Sequence, residues 1–209
     1  MAEKTSEEAA RLEGIWGGEF GNEYVARNPV NPSLRLDFWR DVTARFPAQS
    51  LLEVGCNLGA NLRPLSMVAE GASVAGIDIN ATALQALHLA EPRARLARAS
   101  ARALPFADGA FDMVFTVGVL IHQSPELLAG VMEEIVRCSS RYVLCAEYYA
   151  TDTVEVPYRG QSRALFKCDF GGVYRERFGL EVRDTKRLIG AGWDDVTYWM
   201  LEKTGTPTP

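Results

Sequence analysis

Metal-binding side chains are scarce in this 209-residue sequence, which has two histidines and four cysteines. Cys56, Cys138, Cys145 and Cys168 form no C-x-x-C pair, so no metal centre is expected. The inventory suits a reduced, cytoplasmic chain, with Cys145 packed in the core. Lysine- and arginine-rich blocks are missing, and the formal net charge is −5, which argues against a nucleic-acid partner. The one basic cluster, Arg93, Arg95, Arg98 and Arg102, reads as a solvated edge. No apolar run reaches membrane-spanning length, and Met1-Ala2-Glu3-Lys4 shows no signal-peptide pattern, so neither membrane nor export is expected. No internal repeat and no G-x-G-x-x-G phosphate loop occur.

What is present centres on Leu51-Leu52-Glu53-Val54-Gly55-Cys56-Asn57-Leu58-Gly59-Ala60-Asn61. An apolar run, two glycines four residues apart and a helical pattern read as strand, tight loop and helix, the first unit of a doubly wound α/β sheet. Asn57 stands where a dinucleotide loop has its middle glycine, and Glu53 would repel phosphate and attract a cation. Asp78 ends the next apolar strand, where an acid can accept hydrogen bonds from both hydroxyls of a ribose. Together these fit a nucleoside with a positively charged tail. They count against a nicotinamide-dependent oxidoreductase.

This set, continued by Ala99-Ser100-Ala101, Leu104-Pro105-Phe106 and Phe111-Asp112-Met113-Val114-Phe115, resembles the class I S-adenosylmethionine-dependent methyltransferases over the middle half of the chain. The resemblance implies a Rossmann-like α/β fold: a doubly wound, mostly parallel seven-stranded sheet with an antiparallel last strand. It also implies roles. Gly55, Asn57 and Gly59 would shape the loop around the methionine part of S-adenosylmethionine, with Glu53 on its cationic side. Asp78 would hold the ribose, Ile79 would flank adenine, Ser100 and Ala101 would meet its edge, and Val117 would offer backbone to the methionine. Asn57 replaces a common glycine, and Ser100 a common aspartate.

Length and composition, with 47% hydrophobic and 23% charged residues, suit a single domain over residues 1–209. Thr5-Ser6-Glu7-Glu8 predicts a short helix broken at Gly14, Gly17, Gly18 and Gly21. The glycines and aromatics of residues 1–30 suit either a lid or an arm packed on the sheet. Asn31-Pro32 opens a helix whose core stripe is Leu34, Phe38, Val42 and Phe46, beside Trp39. Asn80 caps a later helix, on which His88 reads as a surface residue. Phe111 to Val117 is a buried central strand, followed by His122 near the carboxyl end of the sheet, where such folds bind ligands. His122 is either a general base or hydrogen-bonding group for the acceptor, or a structural histidine bonded to backbone. Glu147, Tyr148 and Tyr149 follow another buried strand and can bind a polar acceptor or close the sheet edge. Residues 150–170 are loop-like. Leu180–Ile189 and Val196–Lys203 form a hairpin across Gly190-Ala191-Gly192, and Thr204 to Pro209 is a frayed tail.

Four segments narrow the resemblance. They are Trp16-x-Gly18-x-Phe20-Gly21 with Tyr24 and Arg27-Asn28; Gly118 to His122; Tyr158-Arg159-Gly160 with Leu165-Phe166-Lys167-x-Asp169-Phe170; and Asp194-Asp195 before Trp199 to Lys203. This pattern is similar to the methylases associated with pseudaminic acid biosynthesis. It implies that residues 1–30 are a lid and 150–170 an acceptor-recognition insertion. His122 is then the first candidate for catalysis and Tyr24 the second. Arg27, Arg159 and Lys167 can hold a carboxylate or phosphate of a small acceptor, with Tyr158 beside them. The expected reaction is methyl transfer to an O or N nucleophile of an acidic sugar, nucleotide-sugar or amino acid. The alternative is a non-catalytic S-adenosylmethionine-binding sensor or partner subunit.

Overall fold

In a computed structural model, which describes residues 2–190 and 192–205, the central strands fall where the apolar runs lie. The parallel core comprises β1 (Ser50–Val54), β2 (Ser73–Asp78), β3 (Arg95–Arg98), β4 (Phe111–Val117) and β5 (Ser139–Glu147). A two-stranded ribbon, β6 (Val154–Glu155) with β7 (Phe166–Lys167), gives the expected loop at 150–170 an antiparallel frame. The hairpin β8 (Leu180–Gly190) and β9 (Trp193–Lys203) completes a seven-stranded sheet of order β3-β2-β1-β4-β5-β9-β8. Only β9 and its partners pair antiparallel in that sheet. The order reverses between β1 and β4, so the crevice at the carboxyl ends of those two strands is where such a sheet binds ligands.

Both faces are covered, which is why β4 is apolar without alternation. Met113 and Phe115 pack with Trp39 and Val42 of α3 (Leu36–Arg45), with Phe46 at its C-cap and with Leu65 of α4 (Leu62–Val68). Val114 lies in the opposite layer with Val131, Met132 and Ile135 of α6 (Pro125–Cys138). Asn80 caps α5 (Ala81–Ala90) by accepting from the Ala83 amide, and His88 on that helix is exposed.

Three local expectations are corrected. The first helix, α1 (Ala2–Gly17), runs through Gly14 without a break, and α2 (Glu19–Arg27) continues through Gly21. Only Gly18 interrupts the pair, since its extended backbone leaves the helical region. Leu34 is 48% exposed, because Pro32–Arg35 is a separate 3-10 turn whose phase differs from that of α3. A seventh helix, α7 (Phe170–Phe178), stands where none was expected; Asp169 caps it through the Gly172 amide. Of the expected tail, residues 206–209 lie outside the described residues.

Candidate functional site

The floor of the site is the loop between β1 and α4. Its backbone turns through left-handed conformations at Gly55 (φ 78°), Asn57 (φ 44°) and Gly59 (φ 76°). A side chain at Gly55 would meet Val119 Cγ2 at 2.4 Å, so glycine lets the loops after β1 and β4 touch. Asp78 braces the turn: Oδ2 accepts from the Asn57 amide and Oδ1 from the Asn80 amide, both at 2.8 Å. Each oxygen keeps a further lone pair. Burial raises the Asp78 carboxyl, and the amides of Asn80, Asn57 and Ile79 pull it down.

Glu53 is buried at the end of β1. Its Oε1 accepts from Asn61 Nδ2 at 2.8 Å, and Asn61 Oδ1 accepts from Arg35 Nη1 at 2.6 Å. Burial pushes the Glu53 carboxyl up to about 8, with Asn61, Arg35 and the Leu62 amide opposing. Arg35 is itself fixed by the Gly192 carbonyl and stacks 4.1 Å from the centroid of the Trp193 ring. The sequence reading missed Arg35 and Asn61, because the chain of contacts joins three separate segments.

Beyond β4, the 3-10 turn Leu120–His122 is held from below. Glu147 accepts backbone N–H groups of Val119, Leu120 and Ile121 at 3.2, 3.2 and 3.3 Å. Burial pushes its carboxyl up to about 7. His122 Nδ1 lies 2.7 Å from the Ala164 carbonyl. A carbonyl only accepts, so Nδ1 carries the proton and Nε2 is the lone-pair nitrogen. Burial pushes this histidine down to about 4, against the Ala164 bond. The ring is therefore neutral at physiological pH, and it lines the cavity.

The α1–α2 arm forms the roof. The Trp16 ring centroid lies 4.2 Å from that of His122 and 5.6 Å from that of Tyr24, and Tyr158 of the 150–170 segment lies 6.2 Å from Trp16. Asn80 Nδ2 donates to the Trp16 carbonyl and to Asn22 Oδ1, and Ser100 Oγ donates to Glu13. Arg11 donates to the carbonyls of Ser162 and Arg163, which joins the arm to the 150–170 segment.

Floor and roof enclose a cavity of about 720 Å³, within the range of small-molecule sites. Of the expected cofactor set, Glu53, Gly55, Asn57, Asp78, Ile79, Ser100, Ala101 and Val117 line it; Gly59 instead packs toward Leu87 and Arg63. Tyr24, Arg27, His122, Tyr148, Tyr158 and Arg159 also line it, as does Asp194, which the sequence pattern included without assigning it a site role. Three expected acceptor contacts are corrected. Glu147 points its carboxylate at backbone amides; Tyr149 is 46% exposed, with its ring near Trp199; and the Lys167 ammonium lies over Tyr148 and does not line the cavity.

Some buried polar atoms of the cavity-lining residues have no hydrogen-bond partner among the described residues. On the floor they are Asn57 Oδ1, an acceptor, and Glu53 Oε2, which accepts once its carboxyl gives up its proton. On the roof they are donors, Trp16 Nε1 and Arg27 Nε and Nη2. The floor thus suits a ligand that brings amine or hydroxyl donors. Among the described residues, no group of three or more His, Cys, Asp and Glu is placed to hold a metal, and no helix is long and apolar enough to cross a membrane.

Residues 52–145, just under half of the chain, match the family model described as a methyltransferase domain. A ubiquinone biosynthesis O-methyltransferase of Aromatoleum aromaticum is 34% identical over 122 residues, which is 56% of this chain and 50% of that protein. The chain spans about half the length of this curated relative. Among solved structures, 1,6-didemethyltoxoflavin-N1-methyltransferase of Burkholderia thailandensis, with bound S-adenosylhomocysteine, has a TM-score of 0.74 at 15% identity, covering 96% of this chain and 90% of that one. Magnesium protoporphyrin IX methyltransferase of Synechocystis, also with bound S-adenosylhomocysteine, has a TM-score of 0.68 at 15% identity, covering 93% and 98%. The fold is the Rossmann-like α/β methyltransferase fold of these structures.

Proposed function

We propose that this chain transfers a methyl group from S-adenosylmethionine to an O or N nucleophile of a small polar metabolite. One observation carries the reading: the segment that matches the methyltransferase model brings a glycine loop, Glu53, Asp78 and His122 to the same cavity whose roof bears Tyr24 and Arg27. The buried acceptors on that floor suit the cofactor's donors. Glu53 and Asn57 would hold the amino-acid end, Asp78 the ribose, and Ile79, Ser100 and Ala101 the base. When bound, the sulfonium supplies a methyl group on an activated leaving group.

The rest falls to the chain itself. The arm and the 150–170 segment act as lid and acceptor insertion, excluding water and aligning the nucleophile for in-line attack. His122 Nε2, kept unprotonated by burial, accepts the proton or hydrogen bond of the acceptor. Tyr24 and Tyr158 position the acceptor. Glu147 keeps the His122 turn in place and touches no reactant.

Acidic sugars, nucleotide-sugars and amino acids are the acceptor classes suited to Arg27 and Arg159, and the narrower resemblance to methylases associated with pseudaminic acid biosynthesis supports the first. The ring cluster of Trp16, Phe20, Tyr24 and Tyr158 favours a second reading, an aromatic acceptor such as the hydroquinone that the name of a 32% identical Synechocystis methyltransferase prints. The four described cysteines are buried and unpaired, which supports a cytoplasmic setting. Calorimetric titration with S-adenosylmethionine, S-adenosylhomocysteine and NAD tests the cofactor. Micromolar binding of the first two is the expected result, and tight binding of NAD alone overturns the reading. Turnover of any of these acceptors rejects the alternative of a non-catalytic sensor or partner subunit.

A further inference from the structure

Arg27 is the cation of the roof with donors to spare. Its Nη1 meets Glu23 at 3.3 Å, and its guanidinium carbon lies 5.2 Å from the centroid of Phe20 and 5.8 Å from that of Tyr24. Nε and Nη2, the two parallel donors along one edge of the guanidinium, are buried and have no partner among the described residues. That edge matches the two oxygens of a carboxylate. Trp16, whose ring packs against the same two rings, adds Nε1 as a third buried donor without a partner among the described residues. Arg35 differs, because its guanidinium is already engaged by Asn61 and Gly192.

We infer that the acceptor carries a carboxylate seated on the Nε–Nη2 edge of Arg27, and that seating it locks the α1–α2 arm over the site. The inference rests on the methyltransferase reading and narrows its acceptor. A buried guanidinium edge without a partner opposes closure, and a carboxylate removes that opposition. Trp16 Nε1 donates to another oxygen of the same molecule. A diphosphate suits the site less well. Asp194 lines the same cavity and acts electrostatically on Tyr24 and Tyr158, so a second negative charge meets repulsion that a single carboxylate largely avoids.

The test is hydrogen exchange across residues 16–27 of the full chain, with S-adenosylhomocysteine bound. The probes are glucuronate, glutamate and benzoate, with glucose 6-phosphate and UDP-glucose as their phosphate counterparts. At least one carboxylate is expected to slow exchange about fivefold or more, while the phosphates leave it unchanged. Arg27→Gln is expected to abolish the slowing while S-adenosylhomocysteine affinity stays within roughly threefold. If the cofactor product binds but no carboxylate slows exchange, or if Arg27→Gln keeps the effect, the inference falls and the methyltransferase reading stands. If the cofactor product does not bind, the reading itself fails and takes the inference with it. A second variant guards against a purely structural role. Without ligand, Arg27→Met is expected to melt at or above the wild-type temperature, and a drop of more than about 3 °C would assign Arg27 to the fold and overturn the proposal.

Discussion

The Asn80 side chain caps α5 and, through Nδ2, donates to the carbonyl of Trp16 at 2.9 Å. One residue thus ties the roof of the cavity to the loop that Asp78 braces from the floor, since the Asn80 amide also donates to Asp78. Movement of the arm and the shape of the loop around Asp78 are mechanically coupled through this side chain.

Gly21 sits in that joint. A methyl group there would lie 1.9 Å from the Trp16 carbonyl oxygen and 2.7 Å from Asn80 Nδ2. Gly21→Ala is therefore expected to unseat α2 at a cost of about 1–3 kcal/mol and to expose residues 16–27 to limited proteolysis. A cleavage rate equal to wild type would show that the arm is not held by this contact.

Asp78→Ala is expected to weaken S-adenosylhomocysteine binding by roughly 1.5–3 kcal/mol, since it removes a carboxylate and frees the amides of Asn57 and Asn80. Asp78→Asn, which keeps one accepting oxygen, should recover part of the loss. Calorimetry that finds both variants at wild-type affinity would remove Asp78 from the ribose site.

Glu53 sets a pH dependence. Its carboxyl is raised by burial from an ordinary 4.5 to about 8, so the folded chain keeps a proton that the unfolded chain has lost between those values. Stability from this group is present below pH 4.5 and is lost as pH rises through 8. Glu53→Gln is expected to be more stable than wild type at pH 9, by on the order of 2 kcal/mol, and nearly equal to it at pH 5. Urea melts at the two values check this. Cofactor binding at pH 7 should expel about one proton, which titrations in phosphate and in Tris detect as differing enthalpies.

His122 titrates in the opposite sense. Burial lowers it from 6.5 to about 4, so its contribution to stability is present above 6.5 and lost as pH falls toward 4. The ring is neutral across the physiological range, and the rate profile of the wild type should lack a histidine limb between pH 5 and 8. His122→Ala is expected to reduce turnover about 100-fold while cofactor affinity changes little. Full turnover in that variant would leave His122 with the Ala164 bond as its only role.

The sheet was readable from the sequence because buried strands are uninterrupted apolar runs, and β4 matched its predicted bounds. Helix α7 was hidden: it opens Phe170-Gly171-Gly172, and two glycines argue against a helix start. Gly171 is needed there because a side chain would meet Trp199 at 2.3 Å. The floor was legible because glycine spacing and strand-end acids are local signals. The Arg35–Asn61–Glu53 chain was not, because only the tertiary fold brings those residues together. Glu147 was misplaced for a subtler reason: strand position indicates which end of the sheet a residue occupies, and only the pleat decides which face it takes.

Strand β9 lies between β5 and β8, although it is the last of the three in the chain. During synthesis β8 emerges first and has no strand to join, while the edge of β5 stays open until Lys203 has been made. The nascent sheet therefore carries two unpaired edges at once, which are hazards for association between chains. A stop anywhere between Leu180 and Trp193 forfeits two strands for one missing segment.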